Sequence, residues 1–219
     1  MKLLICALLC ALSTSAFADC IPSRTTDHAS LRLAPKEVVI TFDDGPSSKL
    51  TPRLLDTLSQ YCVKATFFLV GEMVERGNAS IVRREIAEGH SIGNHTYSHK
   101  ILTRTSYDIA VYQILHAEAI ITAAAGHRPR MFRFPGLATT KPVATFLHNH
   151  GYSIYNVDVD SDDWKGGTVG QILARTLDRL HRAGKGIILF HDIHAKTIAL
   201  MPAFLATLKR EGYTVVHVT

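Results

Sequence analysis

Segments that read as strands alternate with segments that read as helices, and this alternation limits the fold more than any other feature of the chain. β-Branched and apolar runs predict strands at 38–42, 66–70, 91–94, 131–134, 153–158, 186–190 and 214–218. Helices are predicted between them at 51–61, 80–88, 107–125, 142–150, 169–183 and 198–211. Gly89, Gly126, Gly151, Gly184 and Gly212 follow five of the helices, where a C-terminal cap is wanted. Such alternation implies an α/β fold with a parallel sheet. A mature chain of about 200 residues falls short of the roughly 250 that a complete eight-unit barrel typically needs. The expected architecture is therefore a distorted, TIM-barrel-like (β/α) barrel of about seven parallel strands, with a doubly wound open sheet as the alternative. In either, ligands sit at the C-terminal ends of the strands.

The chain has 219 residues, a net charge of +5 and 47% hydrophobic residues, which suits one domain with a sizeable core. Lys2, the apolar run 3–12 and the small-x-small site Ala16-Phe17-Ala18 read as a signal peptide over residues 1–18, followed by a single domain over 19–219. Asp19 argues against a lipoprotein cut before Cys20, and the short apolar run argues against a retained anchor. The expected location is thus periplasmic or secreted, with no membrane span. Lys and Arg are scattered, without the aromatic-basic array of a nucleic-acid binder, and nothing implies a protein partner. Cleavage removes Cys6 and Cys10, so Cys20 and Cys62 remain for a disulfide, with two buried free thiols as the alternative.

Chemistry-bearing side chains gather at the predicted strand ends. The run Thr41-Phe42-Asp43-Asp44-Gly45-Pro46 closes the first strand with two carboxylates, which strand interiors reject. Neighbouring side chains on an extended backbone point apart, so one carboxylate can face a metal while the other stands by as a base. His95 and His99 follow the third strand at i,i+4, which on a helical turn is metal-ligand spacing. With 12 His in the chain, roughly 0.6 such pairs arise by chance, so the spacing alone is weak. Added to Asp44, the pair makes a two-His, one-carboxylate set of the kind that leaves a coordination position open. Arg133 stands among aromatics, suited to a bidentate grip on a carboxylate, against the alternative of a surface Arg. Asp160, Asp163 and the only Trp, Trp164, follow the fifth strand; His191 and Asp192 follow the sixth. A lone His after an apolar strand is usually a satisfied core residue, but among converging polar groups His191 reads as a general acid.

In this order, Thr41-Phe42-Asp43-Asp44-Gly45-Pro46, His95-Thr96-Tyr97-Ser98-His99, Arg133-Phe134-Pro135, Asp160-Ser161-Asp162-Asp163-Trp164 and Leu189-Phe190-His191 resemble the five motifs of the polysaccharide deacetylase family, carbohydrate esterase family 4 or NodB-homology domain. The resemblance implies a distorted barrel, a divalent metal (zinc first, with cobalt, manganese or nickel as alternatives) and removal of N-acetyl groups from an amino-sugar glycan. It assigns Asp43 as general base, Asp44, His95 and His99 as metal ligands, and His191 as general acid. Arg133 would orient Asp43, Asp163 would stand behind His191, and Trp164 and Leu189 would line the acetyl pocket. Gly136 departs from the pattern, because the family usually has an aromatic there; its N–H remains for the oxyanion, but the groove wall changes. An O-acetyl esterase acting on xylan-type polysaccharide is one alternative. A non-catalytic carbohydrate-binding domain is another, and an unrelated phosphohydrolase lacks its phosphate loop.

Overall fold

The computed structural model describes residues 20–219, so the predicted signal peptide lies outside the described residues. The strands are β1 (Ser23–Thr26), β2 (Glu37–Asp43), β3 (Thr66–Leu69), β4 (Ser91–Asn94), β5 (Met131–Phe132), β6 (Ser153–Ile154), β7 (Val159–Asp160), β8 (Gly186–His191) and β9 (Thr214–Val218). The helices are α1 (Thr51–Gln60), the single turn α2 (Gly71–Met73), α3 (Ala79–Ala87), α4 (Tyr107–Ala125), α5 (Lys141–Asn149), α6 (Val169–Ala183) and α7 (Ala195–Arg210). Local chemistry sets their ends. Ser106 caps the first turn of α4, Thr168 and Gln171 form a capping box on α6, and Gly126 and Gly184 take the left-handed conformation that closes both helices.

All pairings are parallel, and the central path runs β7-β8-β2-β3-β4-β5-β6. Its two edges, β6 and β7, are consecutive in the chain. A flat sheet would set those edges about 29 Å apart, six strand spacings. The chain from Ile154 to Val159 can span only about 18 Å fully extended. The sheet must therefore curl, and the result is the distorted seven-strand barrel expected from the alternation, open between β6 and β7.

The count of seven is reached differently from the sequence reading. The predicted strand 153–158 is broken into β6 and β7, which pair with opposite edges of the sheet. The predicted last strand, β9, touches only the first two residues of β2 and carries β1 beyond it. β1 is short, polar and half exposed, and hydropathy does not reveal it. The N-terminal segment is tied down by a disulfide between Cys20 and Cys62, as expected.

Alternation along β2 divides the core. Val38, Ile40 and Phe42 join Phe67, Ile188 and Phe190 under the helices, in one cluster with Leu54, Leu58, Phe204 and Leu208. Val39 belongs instead to a smaller interior cluster with Phe68, Met131 and Tyr155. Thr41 and Asp43 continue that inner face, and the register sets Leu189 beside Thr41 and His191 beside Asp43. Strand pairing thus delivers a carboxylate and an imidazole to the same mouth of the barrel.

Candidate active site

β2 ends at Asp43, and Asp44 lies outside it with φ +75°, a left-handed conformation that Asp tolerates better than most residues. The turn, more than strand alternation, separates the two carboxylates. Gly45 follows because a Cβ there would run into the buried Asp192 carboxylate.

Residues 95–99 are a loop, not the helical turn suggested by the His spacing. Buried Asn94 accepts from Thr96 N–H at 2.8 Å while its amide donates to Ile114 O at 3.0 Å. Gln113 of α4 accepts from Ser98 N–H at 2.9 Å. Positive φ at Thr96 and His99 folds the loop so that both imidazoles face Asp44. Asp44 Oδ1 lies 3.6 Å from His95 Nε2 and 3.3 Å from His99 Nε2.

The two separations do not come with hydrogen-bond geometry, and the buried Asp44 Oδ1 accepts no hydrogen bond from any described residue. They match the edges of a tetrahedron whose metal–ligand bonds are about 2.0–2.1 Å, the range for zinc with His and carboxylate. The ring of His95 donates from Nδ1 to Arg133 O at 2.8 Å, which leaves the Nε2 lone pair turned toward Asp44. Burial holds the pKa of His95 below its ordinary value despite the nearby carboxylates, so the neutral, ligating form is favoured. The three residues fit a divalent cation by spacing, tautomer and unmet valence.

Arg133 follows β5 and is fully buried. Its Nη1 donates to Asp43 Oδ1 and to Thr41 Oγ1, both at 2.7 Å, while Nε and Nη2 reach the carbonyls of Tyr155 and Asn156 at 3.4 and 3.3 Å. The expected bidentate grip is therefore replaced by a single bond to Asp43, because the other donors serve the gap between β6 and β7. The break in the predicted strand and the orientation of Asp43 thus share one cause.

On the other side of Asp44, its Oδ2 is 4.0 Å from His191 Nε2. His191 Nδ1 donates to Asp163 Oδ1 at 2.6 Å, and Asp163 Oδ2 accepts from His191 N–H at 2.8 Å and Thr197 Oγ1 at 2.5 Å. Burial alone would lower the pKa of His191. The hydrogen bond and charge of Asp163, with Asp43 and Asp44 adding, overcome it and raise the value to about 9. Burial raises and these bonds lower the pKa of Asp163, and the balance lies below the ordinary carboxylate value.

The cleft above these groups measures about 360 Å³, near the small end for ligand sites. Asp43, Asp44, His95, His99, Gly136, Trp164, Leu189 and His191 all line it; Arg133 and Asp163 stand behind. Trp164 is 55% exposed on the rim, so it is not a core residue. Gly136 adopts φ +60° with Ile101 close against it, and the next residue, Leu137, at φ +56° and 39% exposed, lines the cleft as well.

The family model for polysaccharide deacetylase matches residues 31–155. The chain belongs to the polysaccharide deacetylase family. Among members of this deacetylase family, it is 38% identical over 183 residues to the peptidoglycan-N-acetylglucosamine deacetylase of Listeria monocytogenes, across 84% of this chain and 38% of that protein. It therefore spans well under half of that relative. It is 34% identical over 195 residues to the chitin deacetylase of Colletotrichum lindemuthianum, across 84% of this chain and 78% of that protein. The solved structure of a Bdellovibrio bacteriovorus peptidoglycan deacetylase superposes with a TM-score of 0.84 at 32% identity, covering 94% of this chain and 60% of that one. Among the described residues no helix is long and apolar enough to cross a membrane.

Sequence reasoning missed five contributors. Thr41 and the carbonyls of Tyr155 and Asn156 share Arg133, and Thr197 holds Asp163. Leu137 lines the cleft. Of these only Thr41 stood in a quoted motif; the others announce themselves through three-dimensional contact alone. Asp192 was noticed but given no part. It is fully buried and bonded to Thr51, and burial, with the charge of Asp44 adding, pushes its pKa up to about 7.

Proposed function

We propose that this protein is a metal-dependent deacetylase that hydrolyses N-acetyl groups on an amino-sugar glycan, with peptidoglycan ahead of chitin-type oligomers. The observation that carries this reading is the division of proton-handling groups around Asp44. A carboxylate held by Arg133 faces the cleft on one side, and an imidazolium held by Asp163 faces it on the other. Export by the N-terminal segment would bring the protein to wall glycans. The peptidoglycan preference rests on the names of the Listeria and Bdellovibrio relatives.

A divalent cation on Asp44, His95 and His99, zinc before cobalt, manganese or nickel, would supply Lewis-acid polarisation of the acetyl carbonyl and lower the pKa of water. The chain's own residues do the rest. Asp43 keeps Oδ1 on Arg133 and accepts the proton of the attacking water as the new C–O bond forms. The N–H of Gly136, in the cleft wall, donates to the oxyanion. His191 passes its Nε2 proton to the amide nitrogen as the C–N bond breaks, releasing acetate and the free amine. Asp163 keeps the Nδ1 proton in place and the ring charged beforehand. Trp164 offers an exposed aromatic face to a sugar ring.

The test is acetate release from peptidoglycan, chitooligosaccharides and acetylxylan by the zinc-loaded protein, repeated with His191→Ala. An amine must be protonated to leave, whereas an alkoxide leaves with less help. Release from the N-acetyl substrates that collapses in His191→Ala supports the reading. Turnover confined to acetylxylan and barely changed in the variant overturns it in favour of an O-acetyl esterase.

A further inference from the structure

Beside Asp163 and His191 stands a residue the proposed mechanism does not use. His194 precedes α7, is half-buried, and its ring centroid lies 5.6 Å from that of His191. One ligating atom each from Asp163, His191 and His194 lie within 4.8 Å of one another. Two imidazoles and a carboxylate are again a donor set for a borderline metal ion. From this juxtaposition we propose that Asp163, His191 and His194 form a second zinc site, distinct from Asp44, His95 and His99, whose occupation switches the enzyme off.

The geometry explains both the weakness and the effect of such a site. Asp163 Oδ1 and His191 Nδ1 stand 2.6 Å apart with a proton between them. A zinc ion bonded to both at about 2.0–2.2 Å needs them somewhat further apart. It must also replace that proton, which departs to solvent as the Zn–Nδ1 bond forms. Competition with the hydrogen bond makes the site fill only after the Asp44 cluster, where no hydrogen bond has to be broken. Once filled, His191 has exchanged its Nδ1 proton for a metal. The ring can still carry a proton on Nε2, but as a metal-bound neutral imidazole it no longer releases that proton readily near neutral pH. The leaving amine then lacks its acid. His194 is reachable from solvent and offers the third ligand, with water completing the shell.

The inhibitory effect rests on His191 acting as the proposed acid, whereas the binding site does not. The experiment therefore reads both in the full chain. Protein carrying one equivalent of zinc is titrated with further zinc while bound metal, acetate release and the low-field Nδ1 proton of His191 are followed. The same is done for His194→Gln, and with magnesium in place of added zinc. The expected result is a second zinc bound by the wild type, with loss of the Nδ1 resonance and of activity over the same concentration range. His194→Gln should bind the second zinc at least about tenfold more weakly, the loss that even an outer-shell partner costs, and stay active across that range. Magnesium should leave activity unchanged, because it prefers oxygen ligands. The site is overturned if the wild type binds a single zinc throughout, or if His194→Gln binds the second one as tightly. A second zinc that binds through His194 and abolishes the Nδ1 resonance without slowing acetate release leaves the site standing and removes His191 from the proposed acid role.

Discussion

Two sets of carboxylate and imidazole stand a few ångströms apart in this cleft, and their spacing sets them apart. In the Asp44, His95 and His99 set, Asp44 Oδ1 stands 3.3–3.6 Å from the two imidazole nitrogens, and this buried oxygen has no hydrogen bond among the described residues. In the Asp163 and His191 set, the atoms close to 2.6 Å around a shared proton. The same residue types therefore do opposite things. The open set has a valence that a cation can fill, while the closed set has already filled it with a proton. Backbone accounts for the difference. The open set sits on two loops with left-handed residues, pinned by Asn94 and Gln113. In the closed set, Asp163 accepts from both the backbone and the ring of the same residue, His191.

The largest effect should come from the open set. His95→Ala and Asp44→Ala should lose the metal and reduce acetate release by about a thousandfold or more, since Lewis-acid stabilisation is worth several kcal/mol. Metal content measured after dialysis checks this, and a variant that stays metal-loaded and active would dissolve the distinction between the sets. Next come the proton-handling residues. Asp43→Asn and His191→Ala should keep the metal and lose about 10²- to 10⁴-fold in turnover, the usual worth of a general base or acid. If Asp43→Asn also proves metal-free, Asp43 belongs to the open set.

A smaller effect, on pH dependence, should follow from Asp163→Asn. His191 must be protonated to act as the acid, so wild-type turnover should fall as pH rises toward about 9, with a bound cation pulling that limit down. Without the Asp163 charge, burial governs and the alkaline limb should move well to the acid side. Stability has the same sign. The folded pKa of about 9 exceeds the ordinary 6.5, so the pair's contribution is fully present below 6.5 and is lost as pH rises through about 9. That contribution is on the order of 3 kcal/mol. Denaturant melts of the metal-free protein at several pH values should show this slope in the wild type and not in Asp163→Asn.

The smallest effect on turnover belongs to a site outside both sets. Reducing the Cys20–Cys62 bond, which closes a separation of 42 residues, should cost about 3–4 kcal/mol of stability. Turnover per folded molecule should not change. A parallel loss of activity at full folding would mean that the N-terminal segment reaches the cleft.

Much of this was legible from residue order. Strand and helix positions follow from hydrophobic period and glycine caps because those signals are local. Helices 107–125 and 169–183 and strands 91–94 and 214–218 match the structure to the residue. The candidate-site residues were legible for a different reason: Asp43, Asp44 and His191 sit at or just past strand ends, where polar side chains have no structural excuse. The helical turn expected for His95 and His99 failed because Asn94 offers the backbone an alternative partner at Thr96 N–H, a choice that spacing does not encode. The strand 153–158 failed because the carbonyls of Tyr155 and Asn156 turn to Arg133, distant in sequence.

Residue order alone set the alternating α/β plan and which polar side chains collect at the mouth of the barrel, and it offered Cys20 and Cys62 as a pair whose bonding the fold then supplied. Each depends on local period, composition or position at a strand end. Tertiary structure alone decided that the barrel stays open between β6 and β7, and that Arg133 grips Asp43 with one nitrogen while stitching that gap. It also decided that Leu137 joins Gly136 in the cleft wall, and that one carboxylate–imidazole set stands open while the other is closed. Those outcomes turn on differences of an ångström or less between groups from separate strands and loops, and only the packing of the whole barrel sets distances on that scale.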